Sequence, residues 1–165
     1  MKKKKNILGI CMGAGVIILL LFSGIAIGGT FDMTMEITAT VSADATVNED
    51  PWDNTGLTVS ENNVSASDQV NIDNTGDVPI DVAACCTDTT DWAIAASPTT
   101  NVFQLRCKET VAGSYVNLAN GYATVYSNMG TTEDKDFTFQ VYTPTVSTHY
   151  DLQTATITFM YTQYT

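Results

Sequence analysis

The chain has 165 residues, 18 of them acidic against seven Lys and Arg, for a net charge of −11. Four of those cations are Lys2 to Lys5, so the remainder carries Arg106, Lys108 and Lys135 against all 18 acids, a net charge of −15. Such a surface repels phosphate backbones and anionic lipid headgroups, which argues against nucleic acid or a membrane surface as partner, while the length suffices for one domain with a real core.

Residues 1–29 read as an export signal or membrane anchor. "MKKKKN" is a basic leader and Ile7–Phe31 is uncharged. Ala26 and Gly28 offer small residues for cleavage. The uncharged run exceeds an ordinary signal core and is long enough for a bilayer-spanning helix, so a retained anchor is the alternative. Either way the lysines stay inside and the rest is exported, which implies an extracellular or cell-surface location. Any membrane contact is then through an uncleaved leader alone.

Residues 30–48 form one long alternation, "TFDMTMEITATVSADATVN". Phe31, Met33, Met35, Ile37, Ala39, Val41, Ala43, Ala45 and Val47 are apolar, and the positions between them are polar. Period two predicts a strand with one buried face. At about 3.3 Å per residue, Phe31–Val47 reaches roughly 56 Å. A domain of about 110 residues is only about 35 Å across. The strand must therefore bend and switch sheets, with the bend near Ala39–Ala45, or project and pair with another molecule's sheet edge. In the second case Phe31, Met33, Met35, Ile37, Ala39 and Val41 are the interface residues of a donor strand.

"NEDPWDNTG" follows, acidic and turn-rich, and 49–56 reads as a linker. From residue 57 to 165 short alternating segments lie between turn signals: "DQVNID", "VPIDVAACC", "NVFQLRCK", "KDFTFQVYT" and "TATITFMYTQ". "SYVNL" and "YATVYS" flank "ANG", a hairpin-like connection. Helical periodicity is absent outside the leader. Seven or eight strands predict an all-β, immunoglobulin-like or jelly-roll sandwich, with a closed barrel as runner-up.

Cys86 shares phase with Ile80, Val82 and Ala84, and Cys107 with Phe103 and Leu105, so both face the core. A Cys86–Cys107 disulfide suits an oxidising exterior and would stabilise by about 3 kcal/mol. Buried free thiols are the alternative. Asn63 lies in "NVS", an N-glycosylation sequon expected in a loop. Glu49, Asp50 and Asp53 could offer oxygen ligands to calcium, although acidic turns usually need no ion. His149 is the single histidine, and no HExxH, GxSxG or phosphate loop is present. No enzyme activity and no cofactor are expected.

The lysine-rich leader, "GIAIGGTFD", the long first strand and "VNIDNTGDVPIDV" resemble the TasA/camelysin group and the archaeal bundling pilins. The resemblance implies a sandwich domain that homopolymerises into extracellular filaments, the N-terminal strand of one subunit completing the sheet of the next. Peptidase activity in some camelysin relatives is not carried over, because no catalytic motif matches.

Overall fold

The structure is a computed structural model that describes residues 29–40, 45–49, 51–65 and 69–165. The leader, Val41 and Asp50 lie outside those residues. The strands in chain order are β1 (Phe31–Thr40), β2 (Ala45–Glu49), β3 (Trp52–Leu57), β4 (Asn62–Val64), β5 (Val70–Asn74) and β6 (Ile80–Cys86). They continue as β7 (Ala93–Ile94), β8 (Val102–Glu109), β9 (Val116–Asn117), β10 (Ala123–Met129), β11 (Asp134–Tyr142) and β12 (Gln153–Gln163). The described residues contain no helix, so the all-β expectation is met.

Two sheets pack against each other. Sheet A runs β10-β6-β12-β1-β3. Sheet B runs β2-β5-β11-β8-β7, with β4 also on β11 and β9 also on β8. All pairs are antiparallel except β1 with β12 and β7 with β8. The alternation in each strand sends one set of side chains between the sheets. Phe103, Leu105 and Cys107 come from β8, Phe137, Phe139 and Val141 from β11, and Ile157, Phe159 and Tyr161 from β12, all fully buried. Phe139 of sheet B meets Trp52 and Phe159 of sheet A with ring centroids at 6.3 and 6.2 Å. Such tilted aromatic pairs add about 0.5–1.5 kcal/mol beyond area burial.

The long alternation divides between the sheets. Its first part, β1, lies in sheet A, and its last part, β2, pairs with β5 in sheet B. The stretch 49–56, expected as a linker, carries β3 instead. Trp52 and Asn54 turn inward while Asp53 and Thr55 stay exposed, so Asp53 occupies the outer face of a real strand.

The "ANG" connection is not a hairpin. β9 pairs with β8 in sheet B, whereas β10 pairs with β6 in sheet A. Leu118 between them is fully buried, and the backbone N–H of Cys86 donates to Ala119 O at 2.9 Å. Burial of that leucine draws the chain across from one sheet to the other.

The expected Cys86–Cys107 bridge is absent, and both residues are free thiols. The phase reading was correct in sending both side chains to the core, Cys86 from β6 of sheet A and Cys107 from β8 of sheet B, but the two sulfurs are not joined. Cys86 closes its strand, and its Sγ–H donates to the adjacent Thr87 carbonyl at 3.4 Å. Burial pushes both thiols well above the ordinary cysteine range, so they behave as small apolar groups.

Candidate functional site

β1 fills a slot between β12 and β3. Parallel pairing with β12 runs from Met33 opposite Gln153 to Thr40 opposite Met160. On the other side Phe31 pairs with Leu57, Met33 with Asn54, Thr34 with Asp53 and Met35 with Trp52. Among the described residues β3 has no other neighbour in its sheet. Lifting β1 out would therefore detach β3 and open the edge of β12.

Packing and register hold the strand. Met33 and Met35 are fully buried, each stabilising by about 1.5–3 kcal/mol relative to exposure. On the outer face Thr34 Oγ1 donates to Asp53 Oδ1 at 3.0 Å. Gly56, in the left-handed region at φ +67°, donates its N–H to Asp32 Oδ1 at 3.0 Å. The ladder slips by one residue there, between Phe31 and Met33. A bulge of this kind needs glycine and also blunts the open edge of β3.

The rest of the donor-strand set is placed by backbone. Phe31, Ile37 and Ala39 lie in β1, with Ile37 opposite Ile157 and Ala39 opposite Phe159. The sequence did not reveal what guards the start of the slot. The ring of Tyr150, in the β11–β12 loop, lies against Gly29 so closely that any side chain there would displace it. Gln153 is fully buried beside Met33. Its Oε1 accepts from Thr89 Oγ1 at 2.7 Å and its Nε2 donates to Asp91 Oδ2 at 3.0 Å. A Gly followed by alternation, and a Gln in phase with buried residues, are the faint signals that could have pointed to them.

The other predicted residues lie apart from this slot. Asn63 belongs to β4 rather than to a loop. Its Nδ2 donates to Asn54 Oδ1, and its Oδ1 accepts from Val64 N at 2.9 Å. The nitrogen that would carry a glycan is thus tied into the sheet. Glu49 ends β2 and Asp53 is on β3, while Asp50 is outside the described residues. Among the described residues no group of three His, Cys, Asp or Glu side chains could hold a metal ion. His149 Nδ1 lies 3.5 Å from Asp91 Oδ1. Ser147 is committed elsewhere, since its Oγ accepts from Trp92 Nε1 at 3.1 Å and donates to His149 O at 2.6 Å. Ser147, His149 and Asp91 thus fasten the loop before β12. Among the described residues no helix is long and apolar enough to cross a membrane.

No protein-family model matches the chain, and no curated protein matches it.

Proposed function

We propose that this chain is an exported structural subunit of an extracellular filament, pilus or surface fibre, built by donor-strand complementation through Phe31–Val47. The observation that carries the reading is the slot between β12 and β3, filled by a strand that follows directly on the leader and buries Met33 and Met35 completely. In a polymer, the same strand of a neighbouring copy takes that slot. Every contact is then kept, because the exchanged element is identical, and exchange costs little beyond the entropy of association. In this reading the two packed sheets are an immunoglobulin-like or jelly-roll sandwich, the role is structural and not enzymatic, and the partner is the chain itself.

A second reading is a monomeric, membrane-anchored surface domain that binds a ligand or an envelope partner. It is favoured by the division of the long alternation, since β1 and β2 occupy both sheets of one chain.

The mass of the full chain in solution separates the two, since a strictly monomeric chain refutes the filament, and deleting residues 31–47 tests the slot itself. A donor-strand subunit loses its fold without the segment and regains it when a peptide of that sequence is added. A truncated chain that stays soluble, folded and able to assemble would refute the donor role.

A further inference from the structure

Beyond the leader the chain has only three cations, and Lys135 is paired with Glu133. The other two, Arg106 and Lys108, stand two residues apart on β8. Phe103, Leu105 and Cys107 face the core, so Arg106 and Lys108 both lie on the outer face of sheet B. The Arg106 guanidinium is held between two rings, 4.9 Å from the centroid of Tyr115 and 4.8 Å from that of Tyr142. Lys108 Nζ is 5.2 Å from the Tyr115 centroid. Arg106 Nη2 donates to Gln140 Oε1 and to Tyr142 Oη, while its Nε is buried with no hydrogen-bond partner. Among the described residues neither cation pairs with a carboxylate, although the chain has 18 acidic residues. The rings thus fix two positive charges in place without neutralising them.

The opposite side of the molecule is complementary. Asp32 and Glu36 on β1 and Asp53 on β3 are exposed on the outer face of sheet A, where Met33, Met35 and Trp52 take the inward positions. Two copies of a domain with a net charge of −15 repel each other wherever acid meets acid. They attract only where unpaired cations meet carboxylates. The cations and this acidic trio lie on opposite faces of the two-sheet stack. A contact between them is head-to-tail, and such contacts build open chains.

We infer that the outer face of β8, through Arg106 and Lys108, docks on the acidic β1–β3 face of a second copy of this chain. The inference rests on the filament reading and supplies it with a second, electrostatic contact. An acidic polysaccharide is the competing partner for the same cations. A sugar-stacking role fits less well, because cations lie over the rings of Tyr115 and Tyr142.

The test compares wild type, Lys108→Glu and the double variant Lys108→Glu/Glu36→Lys, by light scattering and sedimentation at about 0.02 M and about 0.5 M salt. Both positions are on the sheet surface, and circular dichroism checks the fold. Wild type assembles more readily at low salt, Lys108→Glu assembles at least about fivefold less readily, and the charge swap restores assembly. The inference is overturned if Lys108→Glu assembles like wild type, or if the swap restores nothing. It is also overturned if wild type stays monomeric and binds polygalacturonate through Lys108. Failure of wild type to assemble under any condition rejects the filament reading itself. Normal wild-type filaments with an indifferent Lys108 reject only this contact.

Discussion

The backbone of Gly29 lies directly beneath the ring of Tyr150. A methyl group built on Gly29 would fall 2.4 Å from Tyr150 Cδ1 and 2.6 Å from Cε1. The loop between β11 and β12 is therefore fitted to the chain two residues before β1. Gly29→Val should destabilise the domain by about 1–3 kcal/mol, the usual cost of overpacking. Tyr150→Ala in the same chain should recover most of that loss, and urea unfolding of the four variants measures the coupling. Additivity of the two changes within about 0.5 kcal/mol would show that the ring is not what excludes a side chain there.

Asn74 ties two turns together. Its Nδ2 donates to Val78 O at 3.0 Å, Met129 O at 3.2 Å and Gly130 O at 3.0 Å, and its Oδ1 accepts from Gly76 N at 3.1 Å. The side chain is fully buried. Asn74→Ala should cost about 2–4 kcal/mol by leaving these carbonyls unpaired. Asn74→Asp should cost at least as much at neutral pH, because a carboxylate would face three carbonyl oxygens. Chemical denaturation at pH 7 distinguishes these outcomes from a tolerant turn, in which both variants would match wild type.

The Glu133–Lys135 pair gives a modest acid dependence. The hydrogen bond from the Lys135 ammonium, with a second from Gly130 N, holds the Glu133 carboxyl below its ordinary 4.5. Its contribution is present above about pH 4.5 and is lost as pH falls through the lower folded value. Lys135 is raised above its ordinary 10.5 chiefly by the same bond, so its side of the pair is present below that pH and lost as pH rises through the higher folded value. Glu133 is 37% exposed, and solvent screening keeps the pair under about 1 kcal/mol. Thermal unfolding of Glu133→Gln should fall slightly below wild type at pH 7 and converge with it near pH 3. A constant gap across that range would point to a purely steric effect.

The cysteines should be inert in the native protein. Burial raises the Cys86 and Cys107 thiols and keeps the reactive thiolate scarce. Maleimide at neutral pH should leave both unmodified until denaturant is added, and reductant should not change the intact mass. A gain of two hydrogens on reduction would reveal a bridge and contradict the free-thiol core.

Period-two alternation made the strand set and its buried faces legible, down to Met33, Met35, Cys86 and Cys107. It left open whether the strand switches sheets or projects, because its phase runs unbroken from Phe31 to Val47, but the small residues Ala39–Ala45 marked the place of a switch, and β1 ends at Thr40 while β2 begins at Ala45 on a different partner. The density of acids around Trp52 hid β3, since Asp53 lies on an outer face and the inward Asn54 is polar. "ANG" is a sound hairpin signal that buried Leu118 overrides. The stack of Arg106 on Tyr142 of β11 and on Tyr115 in the β8–β9 connection depends on strand pairing and loop path, so no local pattern reveals it.

The central claim is that the slot between β12 and β3 is filled in the assembled state by a neighbour's strand. Thr34 and Thr154 are direct register partners across β1 and β12, with alternate residues facing outward from the core. Adjacent strands bring such a pair within reach of a disulfide. The measurement is non-reducing gel analysis of oxidised assemblies of Thr34→Cys/Thr154→Cys, with Cys85→Ser removing the third free thiol of the described residues, which is 9% exposed and alternates away from the core side of β6. Strand exchange predicts a ladder of covalent multimers that collapses on reduction. Assemblies in which every chain runs as an internally bridged monomer would contradict it.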